Sequence, residues 1–246
     1  MTFLLIVVSS LVGGVLSVLL AGTVLAARPA LFERALPHLI SFSTGTLLGT
    51  ALLGMIPHAA EVLPVATVAL VILAGLLSFF VLEKLLIWRH CHKHDCVVHA
   101  TSGPLLLIGD AVHNFVDGVV IAGAFLDSTT LGLTVVFSTI AHEVPQEIGE
   151  FMFYLRSGYT RRRALFLNAL TSLTSVVGAV LGYFFLFQMH RVGPYLLAFA
   201  AAGFLYVALA DLVPAQRGRA SLNVAILDLF LVGTGIGVIA LFAHGH

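Results

Sequence analysis

Charge is scarce in this sequence. Asp, Glu, Lys and Arg make up 10% of its 246 residues, whereas soluble globular proteins carry roughly 25%. So little charge cannot solvate the surface of a water-soluble fold, and the 59% of hydrophobic residues and a mean hydropathy of +1.07 agree. The charge is also balanced, with 12 basic and 12 acidic residues, so there is no basic face for nucleic acid. The sequence therefore predicts an integral membrane protein whose surroundings are the lipid bilayer.

Cysteine is nearly absent, and nucleotide-binding motifs are missing altogether. The two cysteines, Cys91 and Cys96, lie in one polar stretch. A disulfide between them stays open, although the topology argued below puts them in the cytoplasm, where thiols are kept reduced. Without a Gly-x-x-x-x-Gly-Lys-Ser/Thr motif, ATP does not drive the protein directly.

Residues 1–27 lack the basic start of a signal peptide, so we expect a retained first span.

Long apolar runs dominate the sequence. Eight stretches each approach the roughly 20 apolar residues that cross a bilayer as a helix, because backbone polar groups in lipid must be satisfied within the stretch. The stretches cover about 2–26, 37–60, 63–88, 103–126, 130–155, 163–188, 193–215 and 222–243. Short connections without a linker predict one transmembrane domain over 1–246.

The basic residues predict the orientation. Eleven of the 12 lie at the connections after the first, third, fifth and seventh stretches, and Arg191 is the exception. Lys and Arg concentrate on the cytoplasmic side of membrane proteins. We therefore predict that both termini lie outside and that the connection 89–100 is cytoplasmic.

Two stretches end alike. Residues 51–58 read Ala-Leu-Leu-Gly-Met-Ile-Pro-His, and residues 208–215 read Ala-Leu-Ala-Asp-Leu-Val-Pro-Ala. The second stretch runs outward and the seventh inward in the predicted topology, as an inverted repeat of stretches 1–3 and 6–8 requires. Such repeats are common in transporters; chance similarity of apolar sequence is the alternative.

The fourth stretch carries ionisable residues in mid-span, where they are costly and usually functional. Asp110, His113 and Asp117 are spaced by three and four residues, so they share one helix face. Asn114 lies beside them. The spacing predicts a polar stripe facing a neighbouring helix.

The fifth stretch carries a matching set. His142 and Gln146 share one face, while Glu143 and Glu147 share an adjacent face that Glu150 continues. We expect this set to meet the stripe of the fourth stretch.

Together these side chains predict a metal site. Imidazole, carboxylate and amide oxygen suit Zn²⁺, and also Fe²⁺, Mn²⁺ or Cd²⁺, and the lack of a buried thiolate favours release. There are enough ligands for two adjacent ions bridged by Asp117, and Pro145 frees the carbonyl of Ala141 for a ligand or a water. Hydrogen bonding between helices is the alternative, but burying this many carboxylates without a cation costs several kcal/mol each.

Two motifs carry a family resemblance. Residues 113–118, His-Asn-Phe-Val-Asp-Gly, and 142–150, His-Glu-Val-Pro-Gln-Glu-Ile-Gly-Glu, resemble the two signatures of the ZIP metal transporters. They are most similar to the branch whose fifth helix reads His-Glu-x-Pro-His-Glu. The resemblance covers nearly the whole chain. It implies an all-α fold of eight transmembrane helices in a 3+2+3 inverted-repeat arrangement, both termini outside, and uptake of zinc into the cytosol as a substrate, with no prosthetic group.

The resemblance also implies which residues bind the metal. By position they are His113, Asn114, Asp117, His142, Glu143 and residue 146. The branch has His at the last position, whereas this chain has Gln146, a poorer ligand. Whether one or two ions bind stays open, with Asp110 and Glu147 as compensating ligands.

Further polar residues extend the predicted pathway. His58 and Glu61 line an entrance at the outer end of the second stretch, and Asp211 lines the exit. Asn168 and Glu150 approach the site. The cytoplasmic connection holds a metal-binding tract, whose candidates are His90, Cys91, His92, His94, Cys96 and His99.

Other functions compete with transport. An intramembrane zinc protease needs a second His four residues after His142, where Gln146 stands. A lipid hydrolase needs a catalytic water and a lipid-sized pocket, and a channel would carry metal-independent currents. We therefore predict a transporter and not an enzyme. The short connections favour a prokaryotic plasma membrane, and the resemblance adds a homodimer.

Overall fold

The computed structural model of the protein describes residues 1–27, 29–90, 103–188, 191–216 and 221–243, and these residues form helices and no strand. Two six-residue segments, Thr50–Met55 and Val207–Leu212, are π-helical. The α-helices are α1 (Thr2–Ala27), α2 (Pro29–Gly49), α3 (Ile56–Val62), α4 (Val65–His90), α5 (Gly103–Asp127), α6 (Thr129–Arg156), α7 (Arg161–Gln188), α8 (Gly193–Tyr206), α9 (Val213–Ala215) and α10 (Leu222–Ala243).

Within the described residues, seven stretches are long and apolar enough to cross a membrane. They are Thr2–Leu20, Ala35–Val62, Val65–Lys84, Leu107–Asp127, Arg161–Leu186, Gly193–Ala210 and Leu222–Phe242. Helix α6 is as long as the others, with 28 residues, but its second half carries the polar residues between His142 and Glu150, which lower its hydropathy. The chain is therefore a multi-pass helical membrane protein.

The second stretch differs most from its predicted bounds. It begins at Pro29, eight residues before the predicted start, and Pro37 lies inside the helix. Proline lacks an N–H and normally disfavours the helix interior, yet the helix runs through Pro37, and the apolar span that it carries begins at Ala35, two residues before the predicted stretch. The carbonyl of Pro37 nevertheless accepts a hydrogen bond from the Ser41 hydroxyl at 3.0 Å.

The two π-helical segments fall on the matching sequences. Each is followed by a short α-helix that has a proline near its start, Pro57 in α3 and Pro214 in α9. Proline lacks the N–H that would bond four residues back, and π-bulges accommodate such an irregularity. The similarity of the two sequence segments therefore has a counterpart in backbone conformation.

Close backbone contact joins α5 to α7. A Cβ atom added to Gly118 would collide with the carbonyl of Ser175, and one added to Gly178 would collide with the carbonyl of Phe115. Small residues allow helices in membranes to approach in this way. The contact presses one face of α5 against α7, and another face of α5 packs against α6.

Candidate metal centre

Helices α5 and α6 form a tight hairpin that positions the polar residues. Only Ser128 separates them, and its hydroxyl accepts a hydrogen bond from the backbone N–H of Leu131 at 3.0 Å, which caps α6. With so short a connection the helices run antiparallel, so residues before Asp117 in α5 lie beside residues after Glu143 in α6. The two polar stripes predicted from the sequence therefore face each other.

Four side chains of this hairpin meet in one cluster, which we call the His113 cluster: His113, Asp117, His142 and Glu143. Each offers one ligand atom, and these four atoms all lie within 4.8 Å of one another. The Nε2 atom of His142 is 3.2 Å from Oδ2 of Asp117 and 3.9 Å from Oε1 of Glu143. The Nε2 atom of His113 is 3.8 Å and 3.5 Å from the same two oxygens.

Local bonding orients the cluster. The Nδ1 atom of His142 lies 2.9 Å from the carbonyl of Ser138 one turn earlier, which leaves Nε2 to face the carboxylates. The two imidazole rings pack edge to face with centroids 5.5 Å apart. A fixed second nitrogen is how proteins hold metal-binding histidines.

Burial leaves the cluster open on one side. The side chains of His142, Asp117 and Glu143 are 2%, 4% and 1% exposed, while His113 is 24% exposed. Neither carboxylate oxygen of Glu143 has a hydrogen-bond partner. Buried carboxylates without a partner are unfavourable, so the arrangement favours a cation.

The separations suit a small divalent ion. Zinc bonds to His nitrogen and carboxylate oxygen at about 2.0–2.2 Å in a tetrahedron, which puts ligand atoms roughly 3.3–3.6 Å apart. The four nitrogen-to-oxygen separations of 3.2–3.9 Å are close to that range, and no two of the four ligand atoms are more than 4.8 Å apart. Two nitrogens and two oxygens are a donor set that zinc accepts.

The amide nitrogens of Gln146 and Asn114 bind Asp110, which lies outside the His113 cluster. The amide nitrogen of Asn114 donates to Oδ1 of Asp110 at 2.8 Å, and that of Gln146 donates to the same oxygen at 3.3 Å. Both amides therefore hold Asp110 through their nitrogen atoms, and their oxygen atoms, through which the resemblance implies metal binding, take no part in these bonds. The Glu150 carboxyl lies against Asp110 and Gln146, so it joins this second polar layer.

The carbonyl of Ala141 is not vacant. Pro145 lies inside α6 and cannot bond to it, but the Ser43 hydroxyl of α2 donates to this carbonyl. The carbonyl that Pro145 leaves unbonded within α6 therefore has a protein partner from α2, and its second lone pair is the one that an ion or a water would use.

At the other end of the hairpin, the structure pairs His58 with a residue that the sequence analysis missed. The Nε2 atom of His58 lies 3.9 Å from Oδ2 of Asp127, the last residue of α5, and both side chains are about 30% exposed. The predicted Glu61 lies on the same short helix α3 and is exposed. The one sequence signal that could have pointed to Asp127 is its position directly before Ser128, the N-cap of α6.

The remaining predicted residues are spread through the chain. Asn168 of α7 is buried, and its amide nitrogen donates to the backbone carbonyl of Glu147 at 2.9 Å. Asp211 belongs to the second π-helical segment, and His90 is the last residue of α4. Five candidates of the tract lie outside the described residues: Cys91, His92, His94, Cys96 and His99.

Comparison with known proteins decides the family. A family model described as ZIP zinc transporter matches residues 88–243, which include both motifs and the whole His113 cluster. The chain belongs to the ZIP zinc transporter family. The resemblance to the ZIP family is thereby confirmed, and that family is one of transporters and not of enzymes.

Curated ZIP relatives extend the match. The zinc transporter ZIP13 of Pongo abelii is 30% identical over 225 residues, 85% of this chain and 67% of that protein. ZIP13 of Danio rerio is 35% identical over 58% of this chain and 42% of that protein. The zinc transporter YKE4 of Saccharomyces cerevisiae is 31% identical over 72% of this chain and 60% of that protein. The chain thus spans two thirds or less of these three relatives.

Proposed function

We propose that the protein carries divalent transition-metal ions, zinc first, across the membrane into the cytosol through the His113 cluster. The observation that carries this proposal is the meeting of two imidazoles and two carboxylates in a nearly buried group between α5 and α6. Within the described residues no Lys or Arg forms an ion pair with these carboxylates, so the charge needed to balance them is supplied by the substrate.

The ligand types of the His113 cluster favour transient binding of the ion over permanent retention. No thiolate belongs to the His113 cluster, and mixed imidazole and carboxylate ligands hold zinc less permanently than the all-cysteine sites of structural zinc. His113, the most exposed of the four side chains, gives the ion a side from which to enter. The relatives ZIP13 and YKE4 are named zinc transporters, so we propose zinc as the first substrate. The donor set also admits Fe²⁺, Mn²⁺ and Cd²⁺.

The path proposed here follows the hairpin. His58, Glu61 and Asp127 lie where α3 meets the end of α5, and they form the entrance. The ion then reaches the His113 cluster and leaves toward the start of α5, the side of the connection 89–100. Asn168 lies on the way out, and Asp211 is proposed for the exit from its position in the sequence alone. Ten residues separate Asp127 from Asp117 along the helix, about 15 Å, so transfer requires movement or an intermediate water.

The proposed topology has α6 as an eighth span. Its 28 residues are long enough to cross a bilayer. It packs against α1, α2 and α5, and its polar residues are largely buried against these helices. The paired π-helical segments support an inverted repeat, and the basic residues support termini on the outside. A homodimer in a prokaryotic plasma membrane rests on the sequence arguments alone, and the three eukaryotic relatives lend no support to the prokaryotic part.

A reconstituted flux assay tests the proposal. Proteoliposomes loaded with a fluorescent indicator are offered Zn²⁺, Fe²⁺, Mn²⁺ and Cd²⁺ in turn. We expect saturable uptake that Asp117→Ala and His142→Ala abolish. The matched control is Asp228→Ala, which also removes a carboxylate from a span, but one whose Oδ1 atom accepts a hydrogen bond from Ser41.

The result that would count against the site is normal saturable uptake by both site variants. Flux that does not saturate and does not distinguish metal ions would instead indicate a channel. Tight metal binding without any flux would contradict transport itself.

A further inference from the structure

Three consecutive arginines, Arg161, Arg162 and Arg163, stand at the start of α7, where this membrane span begins. All three are exposed. Within the described residues none of them forms an ion pair with Asp or Glu. The first turn of a helix carries partial positive charge of its own, so three cations placed there are mutually unfavourable. An anion from outside this part of the chain would therefore stabilise the start of α7.

Two of these arginines lie at the end of an apolar stripe on the outer face of α7. Arg162 and Arg163 precede Phe166 by four and three residues, so they share its face of the helix, whereas Arg161 points about 140° away from Phe166. The other faces of α7 pack against α1, α5 and α6. The stripe, which we call the α7 stripe, consists of exposed residues at helical spacing: Phe166, Leu170, Leu173 and Val177.

The length of the α7 stripe suits one leaflet of a bilayer. Eleven residues separate Phe166 from Val177, which is about 16 Å along a helix. The hydrocarbon core of a bilayer is about 30 Å thick, so an acyl chain of one leaflet occupies about 15 Å. In the proposed topology the arginine end is cytoplasmic, and anionic lipids of that leaflet attract basic segments beside a span. The surface therefore combines a cationic end with an apolar wall of acyl-chain length.

The guanidinium group of Arg163 is held in position by an aromatic ring. Its Cζ atom lies 4.9 Å from the ring centroid of Tyr159, and that ring packs edge to face on the buried Tyr154 with centroids 5.6 Å apart. The turn is fixed by Gly158, with a φ of 84°, and by a hydrogen bond that the Tyr159 N–H donates to the Tyr154 carbonyl at 3.0 Å. A guanidinium that is already oriented loses less freedom when it binds a phosphate through two N–H groups.

We propose that Arg162, Arg163 and the α7 stripe bind one anionic phospholipid. The phosphate lies on the two guanidinium groups, and an acyl chain lies along the stripe. The lipid needs a net negative charge, because a zwitterionic headgroup would bring its own cation toward the arginines. Since the turn 157–160 connects α6 to α7, the bound lipid stabilises the end of α6 and the start of α7 together. The site is separate from the ion path and does not depend on the proposed transport.

Native mass spectrometry of the purified full chain in detergent tests the proposal. The chain is titrated with palmitoyl-oleoyl phosphatidylglycerol and, separately, with phosphatidylcholine of the same acyl chains. We expect one phosphatidylglycerol per chain, bound about tenfold more tightly than phosphatidylcholine. Equal binding of the two lipids would overturn the proposal without any variant. Because the measurement involves no zinc flux, its failure and a failure of transport are distinguishable.

A soluble headgroup separates a lipid site from a phosphate site. Glycerophosphoglycerol carries the same phosphate diester as phosphatidylglycerol but has no acyl chain. We expect it to leave the bound lipid in place at equal concentration, because it makes no contact with the α7 stripe. Displacement at equal concentration would show that the arginines bind phosphate alone, and the proposed lipid site would then be wrong.

Three matched variants assign the site, since each removes one positive charge from neighbouring positions. Arg162→Gln and Arg163→Gln should each weaken phosphatidylglycerol binding about fivefold, and Arg161→Gln, off the stripe, less than twofold. Arg162→Lys, which keeps the charge but loses the planar fork, should fall between Arg162→Gln and wild type. The lipid-free Tm of each variant should match wild type, which shows that it is folded. Equal losses from all three glutamine variants would indicate general positive charge and overturn the proposal.

Discussion

A histidine and an aspartate lie together twice along the hairpin of α5 and α6, in opposite surroundings, and the histidine of the second pair belongs to α3. Inside the membrane, Nε2 of His142 lies 3.2 Å from Oδ2 of Asp117, and the side chains are 2% and 4% exposed. At the end of the hairpin, Nε2 of His58 lies 3.9 Å from Oδ2 of Asp127, with side chains 30% and 31% exposed. Two further ligands, His113 and Glu143, complete the inner pair.

The comparison shows that the same two ligand types can serve different steps when their exposure to water differs. At the exposed pair, water supplies the missing ligands and screens the charge, so an ion is attracted weakly and leaves quickly. At the buried pair, no solvent replaces a lost ligand, so each of the four side chains matters to binding. On the proposed path, the exposed pair therefore suits capture, and we expect the buried cluster to select among ions.

Removing one charge from the buried cluster should have the largest effect. Glu143→Gln keeps the side-chain shape but takes away one of the two carboxylates that balance the substrate. We expect the rate of zinc uptake at low zinc to fall about 100-fold or more, because even loss of a residue that only supports a ligand costs about 10–100-fold. Proteoliposome flux with the trapped indicator measures it.

The matched exchange at the exposed pair is Asp127→Asn. If Glu143→Gln and Asp127→Asn reduced uptake to the same extent, the contrast between the buried and exposed sites would be wrong.

The backbone contact behind the buried cluster should matter next. Gly178→Ala puts a methyl group against the carbonyl of Phe115, which forces α7 away from α5 and costs about 1–3 kcal/mol. We expect a lower Tm in detergent and weaker stabilisation by zinc, because Phe115 lies between His113 and Asp117. The capture pair at the end of α5 should be unaffected.

Gly237→Ala is the control for Gly178→Ala. The added methyl group at residue 237 meets nothing within 4 Å, and alanine is a better helix former than glycine. Its Tm should stay the same or rise slightly. Equal losses of Tm in the two variants would contradict the role given to the α5–α7 contact.

These contrasts were predictable from sequence only in part. Periodic spacing predicted that His113 and Asp117 share a face and that α6 brings His142 and Glu143, because helical geometry follows from residue number. The Asp127 pairing with His58 depends on where α3 lies relative to the end of α5, which no local pattern encodes. Likewise, Gln146 resembles a ligand by position, yet its amide reaches Asp110 because the antiparallel hairpin puts them side by side.

The π-helical segments show the same limit. The repeated Pro57 and Pro214 predicted that two stretches are alike, and the structure gives both a π-helical turn before the proline. The sequence alone did not predict that turn, since proline also permits a kink or a helix end. The early start of the second stretch at Pro29 was missed for a related reason, because Pro37 is held inside the helix.

The smallest effect should come from the exposed pair. Asp127→Asn removes one charge beside His58 but leaves the buried cluster intact, so it weakens capture without changing the later steps. We expect KM for zinc to rise about threefold with kcat unchanged, the signature of lost binding common to all steps. The difference from wild type should shrink at about 1 M salt, where charges are screened beyond roughly 3 Å.

Glu61→Gln separates a specific pairing from general charge. Glu61 is exposed on the same helix as His58, so its exchange removes the same charge without removing the His58 partner. A smaller rise in KM for Glu61→Gln than for Asp127→Asn supports an entrance built on His58 and Asp127 together. Equal rises in KM would mean that the entrance attracts zinc through its general negative charge and not through the pairing of His58 with Asp127. A fall in kcat in Asp127→Asn would show that Asp127 affects the buried cluster, because capture alone cannot slow the steps that follow binding.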